Sequence, residues 1–358
     1  MEKNTKPIRL QSLDVLRGFT LFLLVFFQPV LVAFLGKFDD RWSKAILYQL
    51  DHEVWVGFRF WDLIMPMFLF VVGVAMPFSF SKYLSGAKTK LYWKILRRFI
   101  ILFIFGMIVQ GNLLSFNPDR FLLYTNTLQA IAVGYLFTAL IILNLSGKMQ
   151  VISALLLLVA YWVPMQFFGD YTMQGNFAYK VDEIVLGNFR GDLSYTWIWS
   201  SLTFTVTVLL GSFAGNIIKK EKNPNFDVVK KLVLIGLGLV LVSLLFSLNM
   251  PIIKRIWSGS MTLFAGGICF ILMGLFYYMI DYKGVIKPFK WLNIYGMNAI
   301  VAYMIGEVVN FRGAVNSVSY GLENILGEFY SVWLTFGNFF VVFIILYLLY
   351  RSKIFLKV

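Results

Sequence analysis

The chain has 358 residues, of which 59% are hydrophobic and only 14% charged, and its net charge is +14. A soluble globular domain carries about 25% charged residues, so the composition excludes that class and points to a chain embedded in a membrane. One cysteine, Cys269, excludes an internal disulfide and a cysteine-based metal site, and one histidine excludes a His-cluster metal centre.

The N-terminal stretch MEKNTKPIRLQSLDVLRG is polar and basic, and no small-residue cleavage site follows the apolar run behind it, so that run reads as a retained helix. Apolar runs then predict ten spans, at about 17–36, 61–81, 99–116, 126–146, 150–168, 196–218, 232–249, 259–280, 291–310 and 332–350. Each is close to the ~20 residues that cross a ~30 Å hydrocarbon core, and the alternating segments of a membrane barrel are absent. NPD at 117–119, SGK at 146–148, NPN at 223–225 and NMP at 249–251 mark joints between spans. No linker is long or polar enough to separate a second domain. The expectation is one domain over residues 1–358, an all-α polytopic membrane bundle of about ten transmembrane helices.

Charge sets the expected orientation. The N-terminus, the loops near 82–98, 147–149, 219–231 and 281–290 and the C-terminal tail hold 22 Lys/Arg against 5 Asp/Glu; the other segments hold 10 against 13. Because Lys and Arg stay in the cytoplasm during insertion, both termini are expected there, and the basic excess calls for membrane lipid and no nucleic acid. His52 then falls near the outer face.

Residues 51–66, DHEVWVGFRFWDLIMP, hold that single imidazole between Asp51 and Glu53, with Trp55 one turn on and Asp62 opening an apolar run. A histidine there reads either as a wetted interfacial side chain or as a proton-transfer group. A carboxylate at a membrane helix is costly unless it faces a partner or a cavity, which favours the second reading. Imidazole exchanges protons near neutral pH, and an adjacent carboxylate fixes its tautomer. Pro66, four residues beyond Asp62, predicts a kink.

At the predicted inner face, Arg9, Asp14 and Arg17 surround the entry to the first span, with Asp14 and Arg17 on one helix face. Lys82, Lys88, Lys90, Lys94, Arg97 and Arg98 follow in KYLSGAKTKLYWKILRR. Such a loop is an ordinary topology signal and a lipid anchor. It also suits a phosphate-rich cofactor, since Arg forks grip phosphate in bidentate fashion; no GxxxxGK[ST] loop accompanies it. Gln28, Asn126, Thr127, Gln129 and Asn298 are polar groups inside spans, individually interhelical hydrogen-bonders and together a polar lining for a substrate path. GSFAG and FAGG read as close helix packing.

RLQSLDVLRG, HEVWVGFRFWDLIMPMFLFVVGVAM, NTLQAIAVGY, WIWSSLTFTVTVLLGSFAG, YGMNAI and KIFLKV together resemble the transmembrane acetyltransferase family of heparan-alpha-glucosaminide N-acetyltransferases and their bacterial relatives. The likeness runs from Arg9 to Val358. It implies an enzyme that takes an acetyl group from cytoplasmic acetyl-CoA to an amino sugar across a bacterial inner membrane, without a metal. The family's essential histidine falls on His52, and its following Trp, Gly and Asp on Trp55, Gly57 and Asp62. The family has asparagine where Gln28 stands and often arginine where Ala130 stands, departures that bear on acceptor choice.

On this reading His52 and Asp62 are the catalytic pair. Asp51, Glu53, Trp55, Gln28, Asn126, Gln129 and Asn298 are candidates for the acceptor, and Arg9, Arg17, Lys94, Arg97 and Arg98 for the CoA phosphates. His52 acts either as base in a direct transfer, the favoured route, or as acetyl acceptor in a two-step one. The competing class is a proton-coupled transporter for a sugar or glycan fragment, although no paired halves are evident. An apolar face of such a bundle is compatible with a homodimer.

Overall fold

A computed structural model describes residues 10–356, apart from 82, 84–87, 112–115, 118–120 and 222. Among the described residues all regular elements are helical, and eight helices are long and apolar enough to cross a membrane. Helix α1 (Gln11–Leu35) is followed by a short α2 (Arg41–Gln49), then α3 (Phe60–Phe80) and α4 (Lys88–Val109). The middle of the chain gives α5 (Thr127–Asn144), α6 (Gly147–Phe167), the short α7 (Phe177–Leu186), α8 (Ser201–Lys220) and α9 (Phe226–Phe246). Last come α10 (Gly259–Tyr282), α11 (Leu292–Met297), α12 (Ala299–Val308), α13 (Arg312–Ser319) and α14 (Tyr330–Arg351).

Several expected spans are redrawn, each for a local reason. Lys94, Arg97 and Arg98 lie inside α4, which begins at Lys88 and stops at Val109, where Gly111 takes a positive φ of 70°. The span expected from 196 starts instead at Ser201, because the Asp182 carboxylate holds the amides of Trp197 and Ile198 in a loop. The expected span 291–310 is broken at Asn298 into α11 and α12. Pro66 does not kink a helix. It sits in the first α-helical turn after the 3-10 turn Phe60–Leu63, where its missing N–H removes little. Pro29 has more effect: α1 passes through a π turn at Leu23–Phe27 just ahead of it, which accommodates the lost helical bond.

Close packing centres on α3 and α8. A Cβ on Gly73 would collide with the carbonyl oxygen of Val208, and one on Gly211 with that of Phe70. The two backbones therefore touch, as the GSFAG cluster suggested, and this contact fixes α3 behind its first residues. Gly18 of α1 and Gly296 of α11 pack in the same way. The described ends of the chain meet at one end of the bundle, where Leu10 and Leu356 border a common cavity. His52 and the loop 249–258 lie at the other.

Candidate active site

The site begins with a buried carboxylate. Asp62 opens α3 and is fully buried, which would be prohibitive for an unpartnered charge. Here Oδ2 accepts the amides of Arg59 (3.0 Å) and Glu53 (3.2 Å), and Oδ1 faces Nδ1 of His52 at 2.9 Å. The arrangement is a helix-start cap enlarged to hold an imidazole. With its Nδ1 proton donated to Asp62, His52 carries its lone pair on Nε2, where the Lys254 Nζ also reaches it. Its side chain is 35% exposed, enough to meet a substrate.

The loop that carries His52 is fixed at several points. The Glu53 carboxylate grips the Arg59 guanidinium through two bonds, of 3.0 and 3.2 Å, which hold the carboxyl below its usual range. Arg59 also lies over the Tyr48 ring, 3.8 Å from its centroid. Trp55 donates its indole N–H to the Tyr171 carbonyl. Gly57, at φ 133°, donates its amide to the Ile252 carbonyl at 2.9 Å, a conformation that L side chains rarely adopt.

That last bond ties the His52 loop to the loop bearing Lys254. The Ile256 carbonyl in this second loop accepts from both Tyr161 and Ser200, and the Thr196 amide donates to the Arg255 carbonyl. The clamped loop places the Lys254 Nζ 2.9 Å from Nδ1 and 3.0 Å from Nε2 of His52, and 3.6 Å from Oδ1 of Asp62. Burial pushes the Lys254 ammonium down to about 8, against the pull of Asp62.

His52, Lys254 and Asn126 border a cavity of about 370 Å³, together with Tyr195, Asp192 and Glu307. A second cavity of about 800 Å³ at the opposite end is bordered by Arg17, Lys94, Arg97 and Arg98. Phe68, Thr127 and Tyr303 border both. Arg98 stacks on Tyr135, 4.5 Å from the ring centroid, and its buried Nε has no hydrogen-bond partner among the described residues. Arg9 and Lys82 lie outside the described residues, as does the side chain of Lys88.

The remaining candidates are engaged within the protein. Asp51 is largely exposed, accepts the His52 amide and stands 3.6 Å from Arg59. Gln28 donates to the Leu50 carbonyl and braces the chain ahead of His52. Gln129 caps α5, accepting the Thr125 and Asn126 amides and donating to the Leu123 carbonyl. Asn298 lies towards the opposite end, where its amide binds the C-terminal tail at Ile354 and Leu356. Gln129 and Asn298 border neither cavity. Among the described residues no group of three or more His, Cys, Asp or Glu is placed to hold a metal ion.

Sequence reasoning passed over Lys254, Tyr195, Asp192 and Glu307. One signal was present for Lys254: KR at 254–255 is a cationic pair in a short loop on the side where the charge rule expects few cations.

The family model for heparan-alpha-glucosaminide N-acetyltransferase, catalytic, matches residues 9–246. The heparan-alpha-glucosaminide N-acetyltransferase of Homo sapiens is 23% identical and that of Mus musculus 22% identical, each aligned over 98% of this chain. This chain spans 60% of the length of those two proteins. Since the model covers well over half of the sequence and includes His52, Asp62 and the four described cations bordering the second cavity, the chain belongs to the heparan-alpha-glucosaminide N-acetyltransferase family.

Proposed function

We propose that this protein transfers an acetyl group from acetyl-CoA, held at the cationic end of the bundle, to the amine of a glucosamine-type sugar at the His52 end. The observation that carries this reading is the pair of cavities, one cationic and one centred on His52, which share Phe68, Thr127 and Tyr303 as walls. Neither a CoA thioester nor an amino sugar crosses a bilayer readily, so their reaction across one needs an internal path of this kind. The charge count supports a cytoplasmic cationic end and an outward His52.

The cationic cavity suits the phosphates of CoA. Arg98 has a buried guanidinium nitrogen without a partner, and Lys94, Arg97 and Arg98 pair with no carboxylate among the described residues. Arg17 borders the same space. Acetyl-CoA supplies an acetyl thioester; the protein supplies the proton transfers. An amino sugar is largely an ammonium ion at neutral pH and must lose a proton before it can attack. The acceptor's ammonium displaces the Lys254 Nζ from His52 Nε2, which then takes the proton, while Asp62 holds the ring and stabilises the imidazolium that forms. The new N–C bond replaces the C–S bond, and a second proton from nitrogen neutralises the departing thiolate.

The test is a liposome assay with acetyl-CoA inside and glucosamine outside. N-acetylglucosamine formed outside supports the reading, whereas unmodified sugar accumulating inside supports a transporter. His52→Ala is expected to lose roughly a hundredfold or more in rate, the usual scale for a general base; near-normal turnover would remove His52 from the chemistry. Label retained on His52 after exposure to acetyl-CoA alone would replace direct transfer with a two-step route.

A further inference from the structure

We propose that Glu307 is the counter-ion for the acceptor's ammonium group, so that the outer cavity selects cationic amino sugars and releases the neutral amide product. The proposal rests on the reading above and assigns its acceptor selectivity to a residue on α12.

Glu307 is the one charged residue of an otherwise apolar helix, AIVAYMIGEV, and stands in its last turn. A carboxylate in such a segment is costly unless it serves a cavity or a partner. Its side chain is exposed and borders the cavity of His52, which puts it at the rim. The other carboxylates nearest this cavity are each bonded. Asp62 holds His52 and two amides, Glu53 holds Arg59, Asp182 holds the amides of Trp197 and Ile198, and Asp192 holds Ser194. Glu307 has no hydrogen bond or ion pair among the described residues. Lys254, the one cation among the residues bordering this cavity, is already opposed by Asp62. The cavity therefore has an excess of negative charge, and Glu307 is the bordering carboxylate that no hydrogen bond or ion pair holds among the described residues.

A second feature points independently to a hydroxylated ligand. Trp197 borders the cavity and is only 7% exposed, yet its indole N–H has no hydrogen-bond partner among the described residues. Thr125, also on the wall, has a buried hydroxyl in the same state. Buried donors without partners are rare in folded proteins, and a sugar hydroxyl or ring oxygen would satisfy them. An ammonium at Glu307 and hydroxyls at Trp197 and Thr125 together describe an amino sugar. Acetylation turns the ammonium into a neutral amide, which removes the attraction to Glu307 and favours release.

The test uses the full chain in nanodiscs without acetyl-CoA and measures binding of glucosamine and of N-acetylglucosamine by tryptophan fluorescence. The wild type is expected to bind glucosamine about tenfold more tightly, as a charge-assisted bond allows. Glu307→Gln should abolish most of that preference, and Glu307→Asp should keep it. Trp197→Phe should weaken both sugars alike. In turnover, Glu307→Gln should raise KM for glucosamine about tenfold and change kcat much less. A wild type without preference, or a Glu307→Gln variant that retains it, overturns the assignment. A wild type that prefers glucosamine but transfers no acetyl group would instead overturn the catalytic reading and leave the amine site standing.

Discussion

The two ends of the bundle treat charge in opposite ways. At the His52 end the titratable groups around the ring are bonded to one another or to the backbone: Asp62 to His52 and two backbone amides, Glu53 to Arg59, and Lys254 to the imidazole. At the other end the α4 cations border a cavity of about 800 Å³, with an aromatic ring under Lys94 and another under Arg98. The first arrangement is dense and fixed, which suits general-base chemistry at distances of about 3 Å. The second is roomy and positive, which suits holding a polyanion by charge. The contrast predicts that substitutions at the His52 end act on kcat, while those at the cationic end act on KM and salt dependence.

Asp62→Asn tests the first half and should have the largest effect. An asparagine keeps the size, but its NH2 must face either the two backbone amides, donor against donor, which disturbs the His52 loop, or His52, which costs the ring its orienting acceptor. We expect kcat to fall by roughly a hundredfold or more, with KM for acetyl-CoA nearly unchanged. A normal kcat would mean that this buried carboxylate serves only as a helix cap. The double substitution Arg97→Gln, Arg98→Gln tests the second half. KM for acetyl-CoA should rise about tenfold, kcat should hold, and the wild-type KM should itself rise with ionic strength as exposed charges are screened. A fall in kcat with unchanged KM would erase the distinction between the ends.

The same contrast explains what was legible in the sequence. The helical membrane class follows from hydrophobic runs of span length, and His52 with Asp62 follows from two titratable groups placed where a helix enters the membrane. Both signals are local. Lys254 was not legible because its meaning depends on the Gly57 to Ile252 hydrogen bond, which joins segments about 200 residues apart, and on bonds to the Ile256 carbonyl that span 95 and 56 residues. Asn298 and Gln129 show the converse. Their polarity inside apolar runs is real, but the groups that satisfy it are a returning tail and a helix start. A sequence reveals that such a group needs a partner, not which partner the fold supplies.

Lys254→Met gives the smallest expected effect and probes the His52 end most finely. The substitution keeps most of the side-chain volume and removes the charge. Burial sets the folded Lys254 at about 8, whereas an unfolded lysine titrates near 10.4. Between those values the unfolded chain binds more protons, so wild-type stability should rise with pH through that window, by on the order of 3 kcal/mol at most. Thermal melts in detergent from pH 7.5 to 10.5 should show this rise in the wild type and lack it in Lys254→Met, which should be at least as stable at pH 7.5. Activity should move the other way. The His52 ring loses a group placed against both of its nitrogens, and kcat at pH 7.5 should fall. A variant that is more stable near neutrality yet less active would show that the buried lysine is kept for chemistry at the cost of stability. Stability and kcat both unchanged would reduce Lys254 to a packing residue.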